Sequence, residues 1–124
     1  MEILFRKYHT ENADYLVLDP EHTKFDLLAQ NIRIVCDRIK GLGADYLLCG
    51  PHYDGEHHNF DCFTAEGAPA PVSEPLSRVI SRFLQDTGHL LGMELDTEGV
   101  HFIGTMILGR EFVNANGLQD QIPT

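Results

Sequence analysis

The sequence predicts an α+β fold, with two helices packed on a curved, mostly antiparallel sheet. Three observations carry this. Apolar residues recur at helical spacing in two stretches, 24–40 and 73–88. Short apolar runs bounded by Gly, Pro, Asn or Asp fill the rest, in the order β-β-α-β-β-α-β-β. The 124 residues, 43% of them hydrophobic, suffice for one core without a metal or disulfide staple.

Each element has a local reason. Residues 2–9 and 13–19 read as two strands joined by a polar turn at 10–12, and Pro20 ends the second because it cannot donate to a ladder. Thr23 is placed to cap a helix over 24–40 with the stripe Leu28, Ile32, Val35, Cys36 and Ile39, closed by Gly41 and Gly43. Residues 44–50 form a short apolar strand, 51–55 a turn, and 56–65 a longer strand leading to an Ala/Pro/Gly-rich loop at 66–71. Ser73 is placed to cap the second helix, with Pro75 tolerated in its first turn. Its stripe is Leu76, Val79, Ile80, Phe83 and Leu84, and Gly88 stops it. A hairpin follows, 89–95 and 100–108, around a type I turn Asp96-Thr97-Glu98-Gly99. The reading is one domain over 1–113 and a flexible tail over 114–124, where periodicity is lost.

Charge is unevenly distributed. Residues 41–77 hold Asp45, Asp54, Glu56, Asp61, Glu66 and Glu74 with no Lys or Arg, and 83–109 hold Asp86, Glu94, Asp96 and Glu98 with none either. The remaining nine acids balance the nine basic residues, so these two gaps account for the whole net charge of −10. Such a field repels nucleic acid and attracts proteins that bind it, so direct nucleic-acid binding is not expected. Asp26 and Asp37, on the first helix with Lys24, Arg33, Arg38 and Lys40, read as surface charges without a special role.

Cys36, Cys49 and Cys62 lack metal-ligand spacing and read as reduced core thiols of a cytoplasmic protein. His52, His57 and His58, with Asp54 or Glu56, match no zinc signature, so neither metal nor cofactor is expected. The N-terminus does not read as a signal peptide, and no apolar run is long enough to span a membrane.

Four segments carry a family resemblance. KYHTENADYLVLD (7–19) resembles the K-x-H-G-L-G-N-D-F opening of diaminopimelate epimerases. GLGADYLL (41–48) is similar to their G-I-G-x-D-Q-L-L, FTAEG (63–67) to F-N-A-D-G, and the helix start at Ser73 to C-G-N-G-x-R. The resemblance implies the fold of the N-terminal half of such enzymes. Their site lies between two similar halves, and a thiol from each half works on the α-proton of an amino acid. The chain departs from the motifs at several positions. Ser73 stands for the catalytic cysteine, Glu74 and Pro75 for the carboxylate-binding Gly and Asn, Ala13 and Thr64 for two substrate-binding asparagines, and Tyr46 for a glutamine. Arg78 is kept, as are the framework positions Gly43, Asp45, Phe63 and Gly67. A serine needs an adjacent base that the motif does not supply, and Glu74 and Pro75 oppose an anion at the helix N-terminus.

These departures lead to the expectation of a non-enzymatic, monomeric pseudo-epimerase scaffold. Small acidic proteins of this kind resemble phage-borne anti-CRISPR inhibitors that mimic DNA, in particular one acting on type I-C effectors. That resemblance implies a partner with a basic DNA-binding site, a CRISPR-Cas effector complex in the host bacterial cytoplasm. The partner-binding acids expected are Asp54, Glu56, Glu66, Glu94, Asp96 and Glu98, which act as one patch if they gather within about 10 Å. The alternative is an epimerase- or racemase-like isomerase acting as a homodimer, with Ser73 and Arg78 at its centre. A plain solvated acidic face is the third reading.

Overall fold

Residues 2–20, 25–55, 57–89 and 95–109 are described by a computed structural model. The elements are β1 (Glu2–His9), β2 (Asp14–Leu18), α1 (Ala29–Cys36), β3 (Tyr46–Asp54), β4 (His57–Thr64), α2 (Glu74–Asp86) and β5 (His101–Gly109). The strands form one sheet in the order β4-β3-β2-β1-β5. β1 pairs antiparallel with β2 and β5, and β3 with β4, while β2 and β3 run parallel. The chain is α+β, with a mixed five-stranded sheet and two helices. The parallel pair follows from the succession β2-α1-β3, because parallel neighbours need a long crossover and residues 19–45 supply one.

Alternation along the strands gives the sheet two apolar faces. Ile3, Phe5, Leu16, Leu18, Leu47 and Cys49 pack under Ile32, Val35 and Cys36 of α1. Tyr8, Tyr15, Val17, Leu48 and Cys62 point the other way and pack under Leu76, Val79 and Phe83 of α2. The helices therefore cover opposite faces. β2, flanked on both sides and covered above and below, is an almost continuous buried run.

α2 agrees with its periodicity, with Leu76, Val79, Phe83 and Leu84 buried. Ser73 occupies the N-cap position in extended backbone, but its hydroxyl makes no capping bond, contrary to expectation. α1 is shorter than the predicted 24–40. The Asp37 carboxylate accepts the Ile39 and Lys40 N–H groups, both at 2.8 Å, and this local ring competes with further helix. Ile39, expected in the buried stripe, is 94% exposed as a result. β3 also runs past the predicted turn at 51–55 and reaches Asp54. Pro51 falls in the register shift between Cys49 and His52, where the ladder needs no N–H from it. Thr23, most of the predicted strand 89–95 and the tail 114–124 lie outside the described residues.

All three cysteines are free and buried. Burial pushes the Cys36 and Cys49 thiols up to about 12 and the Cys62 thiol up to about 11, so none is a thiolate at neutral pH. A disulfide reagent of the Ellman type is expected to find no fast-reacting thiol in the folded protein and three after denaturation. Rapid reaction of even one thiol under native conditions would contradict this packing.

Candidate functional site

Two of the resemblance segments, remote in sequence, meet in the structure. The β1–β2 turn presents Thr10, Glu11 and Asn12, the first turn of α2 presents Pro75 and Arg78, and the turn before β5 presents Glu98 and Gly99. Together they line a cleft of about 120 Å³. Chambers that enclose a small ligand usually measure roughly 300–1,000 Å³, so this cleft is too small to enclose one by itself.

Each wall is held by an identifiable set of bonds. In the β1–β2 turn, Thr10 donates its N–H to the Ala13 carbonyl at 2.9 Å, and the Thr10 hydroxyl lies 3.4 Å from the Tyr15 phenol oxygen. Before β5, Val100 N–H donates to Thr97 O at 3.2 Å, so the turn closes over 97–100, one residue later than predicted. Gly99 is at φ +77°, a left-handed conformation that glycine accepts without strain. The Asp96 carboxylate accepts the Glu98 N–H at 3.2 Å. Arg82 Nη1 donates to Val100 O at 2.9 Å, and its Nε to Asp86 at 3.0 Å, which pins this turn to α2.

Arg78 sits between two carboxylates. Its Nη2 pairs with Glu74 one turn earlier, and its Nε donates to Asp96 at 3.2 Å. Glu74 lies in the first turn of α2, where the macrodipole favours an anion. Ser73 stands at the N-cap, two positions before Pro75. Glu11 and Glu98 face the same cleft, so its one arginine is outnumbered by acids.

A larger hollow, about 170 Å³, lies at the other end of α2 between Leu4, Arg6, Val17, Phe83 and His89. Arg6, Thr87 and His89 in its lining are engaged in the fold. Arg6 Nε donates to the Tyr8 phenol oxygen at 3.0 Å, and its guanidinium lies over the Phe102 ring at 4.3 Å. Thr87 Oγ1 and His89 Nδ1 are 2.7 Å apart. The smaller cleft, where the helix start and the motif turn converge, is the better site.

The acids singled out in the sequence are distributed as follows. Asp96 and Glu98 come together at the cleft. Glu66 is exposed in the loop after β4, where its backbone carbonyl accepts Arg33 Nη1 at 3.2 Å. Asp54 ends β3, at the opposite end of β4, and a strand of eight residues spans roughly 25 Å. The Asp54 side chain, Glu56 and Glu94 lie outside the described residues. Among the described side chains of the two acidic gaps, Asp45 pairs with Arg38, Asp61 with His52, Glu74 and Asp96 with Arg78, and Asp86 with Arg6 and Arg82. Asp45, Glu74, Asp86 and Asp96 are thus paired with arginines within the fold rather than offered to a partner. Thr10, Glu11 and Asn12 carry no sequence signal of their own, and only their place beside Ala13 in the first motif points to them. Among the described residues no group of three or more His, Cys, Asp or Glu is placed to hold a metal ion. No helix among them is long and apolar enough to cross a membrane.

An α+β lobe with a small cleft at a helix N-terminus is the class of structure that fold and site define. Comparison with known proteins is specific about the relatives. The chain is 38% identical over 85 residues to "Diaminopimelate epimerase 2" of a Nostoc species, a match covering 68% of this chain and 30% of that protein. It is 31% identical over 90 residues to a diaminopimelate epimerase of an Azoarcus species, covering 71% of this chain and 32% of the relative. The diaminopimelate epimerase of Albidiferax ferrireducens is 33% identical over 95 residues, covering 71% and 31%. The chain thus spans about a third of the length of the relatives it matches, and no family model matches it. This homology supports the fold of an epimerase N-terminal half. It also corrects the expectation that the protein is not an enzyme, because these relatives are named as enzymes. The anti-CRISPR, phage and DNA-mimic readings draw no support from them.

Proposed function

We propose that this chain supplies one lobe of an isomerase site that exchanges the α-proton of an amino acid, the second lobe coming from another copy of the chain. The observation that carries this reading is the convergence of segments 7–19 and 73–78 on one cleft, in a chain similar to diaminopimelate epimerases. An epimerase site needs a wall on each face of the α-carbon, and the cleft described here is a single wall. In the reaction the α C–H bond breaks, its proton passes to a basic group on one lobe while its electron pair stays on the substrate, and an acidic group on either lobe returns a proton to carbon, with no net redox change. On this lobe Arg78 faces the substrate carboxylate, which displaces Glu74 or Asp96 from the guanidinium. Glu11 and Glu98 face its ammonium. Ser73 occupies the position of the thiol, and because a hydroxyl is a far weaker acid, turnover is slow.

The test is α-proton exchange of amino acids, diaminopimelate included, into deuterated water, followed by NMR. Wild type is expected to exchange slowly and Ser73→Ala not at all. Ser73→Cys, which restores a thiol at a helix N-terminus, is expected to exchange at least tenfold faster than wild type. Buffer-level exchange by both wild type and Ser73→Cys would sink the reading.

A further inference from the structure

Asp14, the first residue of β2, is held by every polar group it has. Its N–H donates to Asp45 Oδ2 at 2.9 Å, and its carbonyl accepts the Asp45 N–H at 2.9 Å. One carboxylate oxygen meets His9 Nδ1, and the other meets Arg38 Nη1 at 2.9 Å. The second nitrogen of that guanidinium, Nη2, lies 3.2 Å from Asp45 Oδ2. Arg38 therefore bridges two carboxylates that would otherwise face each other as like charges. His9 and Asp14 are also the residues that flank the 10–13 turn, whose first three residues line the cleft.

The chain is shaped to deliver this arginine. The Asp37 ring ends α1, so Arg38 leaves the helix instead of continuing along it. Gly43 lies against Arg38, and a Cβ there would sit 3.3 Å from both its Cα and its Cγ. Lys7 Nζ donates to Leu42 O at 3.2 Å, a second tie from β1 to the same loop. Burial raises the Asp14 carboxyl, but His9, Arg38 and Lys7 outweigh that and hold it below the usual carboxylate range. Asp45 is the opposing negative group.

We infer that Arg38 is a positioning residue of the cleft: by neutralising Asp14 and Asp45 together it fixes the 10–13 turn in the shape that lines the site. A half-exposed ion pair adds little to global stability, and the backbone bonds of Asp14 remain without it. The effect is therefore local, and its readout is the turn. The consequence for catalysis rests on the proposed epimerase reading, whereas the effect on the turn does not.

Amide hydrogen exchange, resolved by residue, is measured on wild type, Arg38→Gln, Arg38→Lys and the double variant Arg38→Gln/Asp45→Asn. Arg38→Gln is expected to speed exchange of the Thr10 and Asp14 amides, the hydrogen-bonded N–H groups of the turn, at least tenfold while α2 and the β3–β4 pair stay within twofold. Arg38→Lys, which returns the charge without the two-pronged geometry, is expected to recover part of the protection. The double variant, which removes the uncompensated negative charge and keeps an acceptor for the Asp14 N–H, is expected to recover most of it. Unchanged exchange of the Thr10 and Asp14 amides in Arg38→Gln, a rise spread evenly over the sheet, or no recovery in the double variant would each overturn the inference. Loss of α-proton exchange activity in every protein, wild type included, would instead count against the epimerase reading alone.

Discussion

Phe83→Ala is expected to destabilise the fold by about 3–5 kcal/mol, the range for truncating a buried aromatic residue. Phe83 is 1% exposed and sits in the middle of the buried face of α2. Its ring meets Phe60 edge-on at 5.9 Å and lies nearly parallel to His89 at 6.4 Å. Truncation leaves a cavity between α2 and the sheet that backbone ladders on one side and a helix on the other cannot close. A domain of this size has roughly 5–15 kcal/mol in total, so about a fifth or more of it goes. Thermal denaturation followed by circular dichroism should show a Tm lower by about 10–20 °C. A fall of only a few degrees would mean that α2 is not seated on the sheet as described.

The second large effect is expected at Gly67. This residue closes the turn after β4, donating its N–H to Thr64 O at 2.9 Å, with φ at +86°. A side chain there meets two obstacles. The left-handed backbone is strained for any residue with a Cβ, and that Cβ would lie 2.5 Å from the Cα of Ala29, the first residue of α1. That Cα and the Ala29 carbonyl oxygen, 2.8 Å away, are both backbone and cannot rotate away. Strain and overpacking each cost about 1–3 kcal/mol, so Gly67→Ala is expected to lose about 3 kcal/mol or more and to lower Tm by roughly 10 °C. Gly88→Ala is the control, because its φ of +76° carries the strain but an added Cβ meets nothing within 4 Å. Equal losses at the two positions would show that the contact with α1 is unimportant.

What was readable in the sequence depended on whether the deciding interaction is local. α2 was legible because its buried face repeats at i, i+3, i+4, i+7 and its partner needs no identification. The end of α1 was not, since the stripe through Ile39 continues the period while Asp37 ends the helix through its own carboxylate. The charge pattern is legible as composition, but its meaning depends on partners that no period connects. Arg78 and Asp96 are 18 residues apart, and Arg38 and Asp14 are 24 apart. Arg38 therefore looked like an ordinary surface charge. Glu98 was singled out for its exposed position in a turn, yet it lines the cleft. The cleft itself was visible only through the family resemblance, which marked both of its principal segments without showing that they touch.

The position of β1 has a consequence for how the chain is made. Its two neighbours are β2, a few residues away, and β5, roughly a hundred residues further on. At about 5–20 residues per second, a ribosome needs something like 5–20 seconds between delivering the first of these strands and the last. Throughout that interval one edge of β1 is open, and its apolar residues are available to any other nascent strand. The sheet is thus completed only when β5 reaches that open edge.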